Sequence, residues 1–158
     1  MSQEQQAPQQ SAEEAVVFSI EKIYVKDFSL EVPHAPAIYL EREMPSVDID
    51  LHTAADAAGE GYYEASLTVT VKAALGEKTV FLVEVTQAGI FQIRNVPDEA
   101  LNGLLAVACP STLYPYAREA VSDAVTRAGF PPVVLAPANF EAMYMARLQE
   151  EAAAQPQQ

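Results

Sequence analysis

Residues 63–93, YEASLTVTVKAALGEKTVFLVEVTQAGIFQI, alternate apolar and polar side chains on both sides of one turn signal. Leu67 and Val69 face one way, while threonine and lysine side chains between the apolar positions face the other. This period of two predicts β-strands with one buried face. Gly76 and Glu77 fit the tight turn of a hairpin. The stretch therefore predicts two antiparallel strands, Tyr63–Leu75 and Lys78–Ile93, whose apolar face another layer must cover.

Two further strands are predicted upstream of this hairpin. Val16–Val32 carries mainly apolar side chains at its even positions, and Ser46–Thr53 also alternates. Between them, prolines interrupt His34–Met44 and predict a crossing loop, since each proline removes a backbone donor. The alanine-rich segment after Thr53 predicts a flexible connection. Four strands joined mostly by short turns predict an antiparallel meander.

The second half of the chain has the spacing of helices. Apolar residues from Leu101 to Ala108 and from Leu113 to Ala128 lie three and four positions apart, and a break is predicted at Cys109-Pro110. Asn139 is placed to cap a last helix. Its apolar stripe consists of Phe140, Met143, Tyr144 and Leu148. Strands followed by helices predict an α+β fold, a four-stranded antiparallel sheet with helices packed on one face.

Composition limits the possible partners and compartments. The 158 residues suit one domain, 16–149, between disordered tails at 1–15 and 150–158, which are poor in large apolar side chains. A net charge of -13 disfavours nucleic acid and anionic lipid as ligands. The single cysteine fits a reducing compartment, and no export signal or bilayer-length apolar run is present. We therefore expect a cytoplasmic protein that does not insert into membranes.

No catalytic or cofactor site is predicted. The two histidines, His34 and His52, lie far from Cys109 in the sequence, and no glycine-rich phosphate loop occurs. Cys109 is expected to be a small buried residue. A hydrolase that pairs Ser111 with His52 and Asp50 stays open as an alternative, although no nucleophile elbow surrounds the serine. The sequence favours a protein that is not an enzyme and needs no cofactor.

Four stretches carry a resemblance to a known family. They are IYVKD at Ile23–Asp27, LGEKTVFLVEV at Leu75–Val85, CPSTLYPYARE at Cys109–Glu119 and LAPANFEAMYMARLQ at Leu135–Gln149. Together they resemble the SecB protein-export chaperone family from about Phe18 to Gln149. The chain departs from the family in its tail length and at Val83, where some relatives carry cysteine.

The resemblance implies a function and partners. It implies a homotetramer, a dimer of dimers, that keeps preproteins unfolded without ATP and delivers them to the SecA motor ATPase. It also marks the SecA contact as four positions that alternation places outward on two strands: Asp27, Glu31, Leu82 and Glu84. An acidic sheet face with one apolar residue would there meet a basic, zinc-holding tail of SecA. A structural or adaptor oligomer that binds one folded partner remains the alternative.

A surface for unfolded clients can be predicted from residue type. A chaperone that binds many sequences needs adaptable apolar area, which methionine and aromatic side chains supply. The candidates on the last helix are Phe140, Met143 and Tyr144, and those on the second strand, as an opposing wall, are Val47, Ile49 and Leu51. The same helix residues could instead only cover the sheet.

Overall fold

A single antiparallel sheet and three helices form the fold. The computed structural model describes residues 14–155. The strands are β1 (Val17–Glu31), β2 (Ser46–Gly59), β3 (Tyr62–Leu75) and β4 (Lys78–Arg94), and the helices are α1 (Asp98–Gly103), α2 (Cys109–Arg127) and α3 (Phe140–Ala154). α2 packs on β3 and β4. The predicted α+β fold, a four-stranded antiparallel sheet with helices, is confirmed.

The strand order is β1-β4-β3-β2, which differs from a meander. Only β2, β3 and β4 are sequential neighbours. The loop after β1 crosses the end of the sheet, so that β1 pairs with β4 and β2 becomes the opposite edge. A short 3-10 helix, Ala37–Leu40, lies in this loop, and its Ile38 is buried in the core. The buried isoleucine anchors the crossing.

Two β-bulges in β1 change which residues face the helices. The pairing with β4 shifts between Ile20 and Lys22 and again between Val25 and Asp27. The prediction that even positions share one face along the whole strand is therefore wrong. A slip of one residue exchanges the two faces. Between the bulges, Ile23 and Val25 lie on the helix side of the sheet, and Lys22 lies on the other.

β2 is longer than its alternation predicts. It continues through the alanine-rich segment to Gly59, where a flexible connection was expected. The extra residues pair with β3 as far as Gly59 opposite Tyr62. Pairing with a neighbouring strand thus outweighs the low strand propensity of alanine and aspartate. The hairpin turn is at Glu60-Gly61, where Gly61 has a φ of 75°.

The predicted break at Cys109-Pro110 is wrong, because the helix continues through it. A π-helical turn, Leu104–Ala108, joins α1 directly to α2. There the N–H of Cys109 donates to the carbonyl five residues back. The wider turn carries the chain past Pro110, whose ring would clash with a carbonyl in an ordinary α-helix. The hydroxyl of Ser111 adds a hydrogen bond to the Val107 carbonyl at 2.6 Å.

The core lies between α2 and the helix side of the sheet. The predicted stripe on α2 is buried, and so are its partners on β3 and β4: Leu67, Val69, Val71, Val83, Val85 and Phe91. Gly89 permits the closest approach. A methyl group there would lie 2.9 Å from the Lys22 carbonyl oxygen and 3.3 Å from Leu113. The absence of a side chain at residue 89 therefore leaves room for the β1 backbone and for Leu113 of α2 to pack closely against β4.

The ends of the chain are only partly described. Of the expected tails, residues 1–13 and 156–158 lie outside the described residues. α3 continues to Ala154, past the boundary expected at residue 150, because Glu150–Ala154 consists of good helix formers. No helix within 14–155 combines the length and apolar character needed to cross a bilayer.

Candidate functional site

A cleft opens between α3, the edge strand β2 and the π-helical turn. We call it the α3 cleft, and its volume is about 240 Å³. The lining residues are Leu51, His52, Thr53, Ala106, Phe140, Met143, Tyr144 and Arg147. It continues along α3 into a second hollow, which shares Thr53, Ala106, Tyr144 and Arg147. Four of the six predicted client residues therefore line one cleft.

The predicted residues of α3 differ in their exposure. Phe140 is only 3% exposed and packs edge-on against Tyr114, with ring centroids 5.6 Å apart. Met143 is 42% exposed. The Tyr144 ring stacks under the guanidinium of Arg147 at 5.3 Å. Phe140 thus anchors the helix, while Met143 and Tyr144 offer contact area to a ligand.

Capping and packing set where α3 begins. The side chain of Asn139 accepts a hydrogen bond from the backbone N–H of Ala142 at 2.9 Å, as the sequence predicted. Upstream, Leu135 is buried, and the Tyr114 hydroxyl donates to the Ala136 carbonyl. Burial raises the pKa of Tyr114, and Arg118 partly opposes this shift. The cap fixes the first turn of α3, and the contact of Tyr114 holds the preceding segment against α2.

A second, more apolar pocket lies at the other end of β2. We call it the loop pocket, and its volume is about 340 Å³. Val47 is the predicted client residue that lines it. Its other residues are not among the six named client candidates, although some belong to the loop beside them: Ile38, Glu41, Glu43, Met44, Pro45, Leu75, Val80, Phe81, Phe130, Pro131, Pro132 and Val133. The sequence signal for this pocket is the apolar segment around Pro131-Pro132.

Ile49 lies between the two pockets. Val47, Ile49 and Leu51 pair with buried residues of β3 and share the helix side of the sheet. Ile49 lines neither pocket, but 49% of it is exposed. α2 covers β3 and β4, so this row on β2 stays open. The three residues form an apolar strip from the loop pocket to the α3 cleft.

The opposite surface of the sheet, which we call the outer face, brings the four predicted SecA-contact residues together. In the pairing register, Glu31 lies beside Leu82, and Ser29 beside Glu84. Asp27 follows one row further along, beside Thr86. Leu82 is half-buried. The four positions therefore form one patch on two neighbouring strands. The two residues on β1 are separated from the two on β4 by 51 to 57 positions in the sequence.

The outer face is acidic and hydrogen-bonded. Glu84 accepts a hydrogen bond from Thr70 at 3.1 Å, and the hydroxyls of Thr68 and Thr86 are 2.9 Å apart. Asp48 and Asp50 on β2 extend the negative charge across the sheet. Lys72 of β3 is a basic residue of this face and lies between Asp48 and Leu82. No salt bridge within residues 14–155 involves Asp27, Glu31 or Glu84. Their charges are available to a basic partner.

The residues considered for catalysis do not form a site. Ser111 is on α2 and its hydroxyl donates to a backbone carbonyl, whereas Asp50 and His52 are on β2. Cys109 is fully buried, as expected, and desolvation raises its pKa to about 12. In the described part of the chain, no group of three or more His, Cys, Asp or Glu side chains is arranged to hold a metal ion.

Comparison with known proteins agrees with this architecture. Residues 10–151 match a family model described as preprotein translocase subunit SecB. A protein-export protein SecB from Dechloromonas aromatica is 67% identical over 141 residues, which cover 89% of this chain and 93% of the relative. One from Methylobacillus flagellatus is 57% identical, covering 98% and 96%.

A solved structure shares the fold. It is a Mycobacterium tuberculosis SecB-like chaperone in complex with a peptide from an antitoxin. The TM-score is 0.64 at 21% identity, and the match covers 77% of this chain and 90% of that one. The family model, the relatives and the shared fold lead to one conclusion: this chain belongs to the SecB family of protein-export proteins.

Proposed function

We propose that this chain is an ATP-independent chaperone that binds unfolded preproteins in the cytoplasm and delivers them to the SecA motor ATPase. The observation that carries the proposal is the open apolar strip on β2 between the loop pocket and the α3 cleft. An extended segment of a client could place apolar side chains in both pockets. Burial contributes about 25 cal/mol per Å² of apolar surface, so several shallow contacts add up without nucleotide.

Capture of a denatured preprotein tests this proposal. Met143→Asp should weaken capture about tenfold, because a carboxylate in the α3 cleft would be desolvated by an apolar client segment. Met145→Asp is the matched control, since Met145 is 54% exposed on the same helix but lines neither pocket. Equal capture by the two variants would argue against the α3 cleft as the client site.

We propose that Asp27, Glu31, Leu82 and Glu84 form the SecA contact. Their shared patch on the outer face supports this role, as does the absence of intramolecular salt bridges to the three carboxylates within residues 14–155. A half-buried leucine among carboxylates would offer an apolar anchor inside a charged surface. Clients and SecA would then occupy opposite sides of the sheet, so one subunit could hold both.

Charge reversal tests the SecA contact. Asp27→Lys combined with Glu31→Lys should weaken binding to the basic tail of SecA at least tenfold by replacing attraction with repulsion. Glu119→Lys combined with Glu150→Lys, at exposed positions on α2 and α3, makes the same change in net charge and is the control. If the control weakens binding equally, the contact is elsewhere or the effect is only one of net charge.

We propose that subunits assemble into a homotetramer, a dimer of dimers. Four apolar side chains of the edge strand β1 support the assembly, because they are between 38% and 51% exposed in one subunit: Phe18, Ile20, Val25 and Phe28. An unpaired, apolar edge strand is an aggregation hazard unless another chain covers it. Native mass measurement checks the stoichiometry, and a monomer at micromolar concentration would contradict it.

The proposed chaperone has no catalytic activity. The hydroxyl of Ser111 donates a hydrogen bond to the Val107 carbonyl, which supports this. Ser111→Ala should therefore leave client capture unchanged. An adaptor for one folded partner is the competing function. It predicts that a denatured client is ignored, whereas the chaperone should suppress client aggregation without nucleotide.

A further inference from the structure

The second bulge of β1 reverses the exchange of faces that the first bulge makes, and so returns Asp27 and Glu31 to the outer face. Before it, Val25 pairs with Gln87 on the helix side. If Lys26 paired next in regular register, Asp27 would face the helices and Phe28 would face outward, because neighbouring residues alternate. The bulge shifts the register so that Asp27 pairs with Thr86 on the outer face. Glu31 follows to the same side.

Two side chains on the outer face hold this bulge. Lys26 is the extra residue in the pairing, and its ammonium group lies 2.5 Å from the carboxylate of Glu64. The hydroxyl of Tyr24 donates to the same carboxylate. Glu64 belongs to β3, so its side chain reaches β1 across the intervening strand β4. Ala88 of β4 lies beside Tyr24 and is fully buried, which is consistent with side chains crossing above it.

A third side chain holds the bulge from the helix side. Gln87 is 3% exposed, and its amide donates to the Tyr24 carbonyl at 3.1 Å. Bulges leave backbone groups without their usual partner in the ladder, and this amide supplies one. The irregular segment Tyr24–Asp27 is therefore fixed from both faces of the sheet.

The pKa shifts of Glu64 and Tyr24 agree with an ionised Glu64 carboxylate that accepts hydrogen bonds from Lys26 and Tyr24. The hydrogen bond from Lys26, and then that from Tyr24, lower the pKa of Glu64. Burial, with Glu64 as a further cause, raises the pKa of Tyr24 to about 12. At neutral pH the carboxylate accepts from both donors.

We infer that Glu64 is a positioning residue for partner docking, which fixes the β1 bulge and thereby turns Asp27 and Glu31 outward. The inference rests on the proposed SecA contact and assigns Glu64 no direct contact with the partner. Glu64 acts through the register of β1. Its own charge contributes little to recognition.

Removing the charge of Lys26 tests the inference, because a positioning role and simple electrostatics predict opposite changes in binding affinity. Lys26→Met removes a positive charge from an acidic surface, so electrostatics alone would tighten the binding of a basic partner. Loss of the contact with Glu64 should instead weaken binding of the SecA tail, by about threefold to tenfold. Glu64→Leu should weaken it similarly, and Glu64→Gln, which keeps an oxygen acceptor, should retain part of the affinity.

Asp56→Leu is the matched control. Asp56 pairs directly with Glu64 across β2 and β3, is exposed, and takes part in none of the salt bridges found in residues 14–155. Its loss removes the same charge from the same neighbourhood and should leave docking nearly unchanged. Backbone hydrogen exchange at Lys26–Phe28 should accelerate in Glu64→Leu and not in Asp56→Leu.

Client capture and native mass of each variant show whether the protein still folds and assembles. Tighter docking of Lys26→Met, or equal losses in Glu64→Leu and Asp56→Leu, would overturn the positioning role. Normal docking in all variants would overturn it as well. If the unaltered protein fails to bind the SecA tail, the proposed contact itself is wrong, which is a distinct result.

Discussion

At the scale of single residues, the absence of a side chain at Gly89 allows β1, β4 and α2 to pack closely. Gly89→Ala would place a methyl group 3.0 Å from the Phe91 ring and 2.9 Å from a backbone oxygen of β1. We expect a loss of about 1–3 kcal/mol in the free energy of unfolding, because backbone cannot move aside as a flexible side chain can. Urea denaturation measures the change.

Gly103→Ala is the control for this substitution. A methyl group at this position in α1 meets nothing within 4 Å. Alanine is the better helix former by about 0.5–1 kcal/mol, so the control should be neutral or stabilising. Destabilisation by both variants would mean that glycine is needed for reasons other than space.

Cys109 is the residue whose chemistry burial suppresses most. It is fully buried, and desolvation raises its pKa to about 12. The thiolate is the reactive form, so a disulfide reagent at about pH 8 should label the native protein at less than roughly a hundredth of the rate seen in urea. Rapid labelling of the native protein would show that the π-helical turn opens readily.

At the scale of elements, the start of α3 controls the α3 cleft. Asn139→Ala removes the cap hydrogen bond to Ala142 and should cost about 1 kcal/mol of helix stability. Fraying of the first turn would displace Met143 and Tyr144, so client capture should fall while docking to SecA stays normal. Asn139→Asp keeps an oxygen acceptor and should restore capture. Normal capture by the alanine variant would show that client binding does not depend on the cap of α3.

At the scale of the whole molecule, the two sides of the sheet should respond differently to salt. The outer face is acidic, whereas the proposed client surface, the strip on β2, is apolar. Raising ionic strength from about 0.05 M to about 0.5 M should weaken SecA docking roughly tenfold through screening, and change client capture less than about twofold. Fluorescence anisotropy with a labelled SecA tail and a labelled denatured preprotein measures both. Parallel salt dependence would contradict separate surfaces.

Much of the architecture could be predicted from local patterns. Alternation in Tyr62–Leu75 and Lys78–Arg94 identified the central hairpin, and apolar spacing identified α2 and α3. The proposed client residues of α3 could be selected because their side chains share one helix face. Each of these inferences depends only on the spacing of apolar residues within a few positions, which can be measured from the sequence alone.

Other features needed the folded chain. Alternation predicted that Asp27 and Glu31 face outward, but it missed the two bulges that exchange the faces of β1 between Lys22 and Val25. The bulge at Lys26 is held by Glu64 and Gln87, which are 38 and 61 residues away in the sequence. The loop pocket likewise joins segments around Val47, Phe81 and Phe130. The sequence by itself determined which parts of the chain form strands and helices and which family the chain resembles, but not where β2 ends or that α1 continues into α2. Only the tertiary structure decided the register of β1 and the path between the pockets, because both depend on contacts between distant segments.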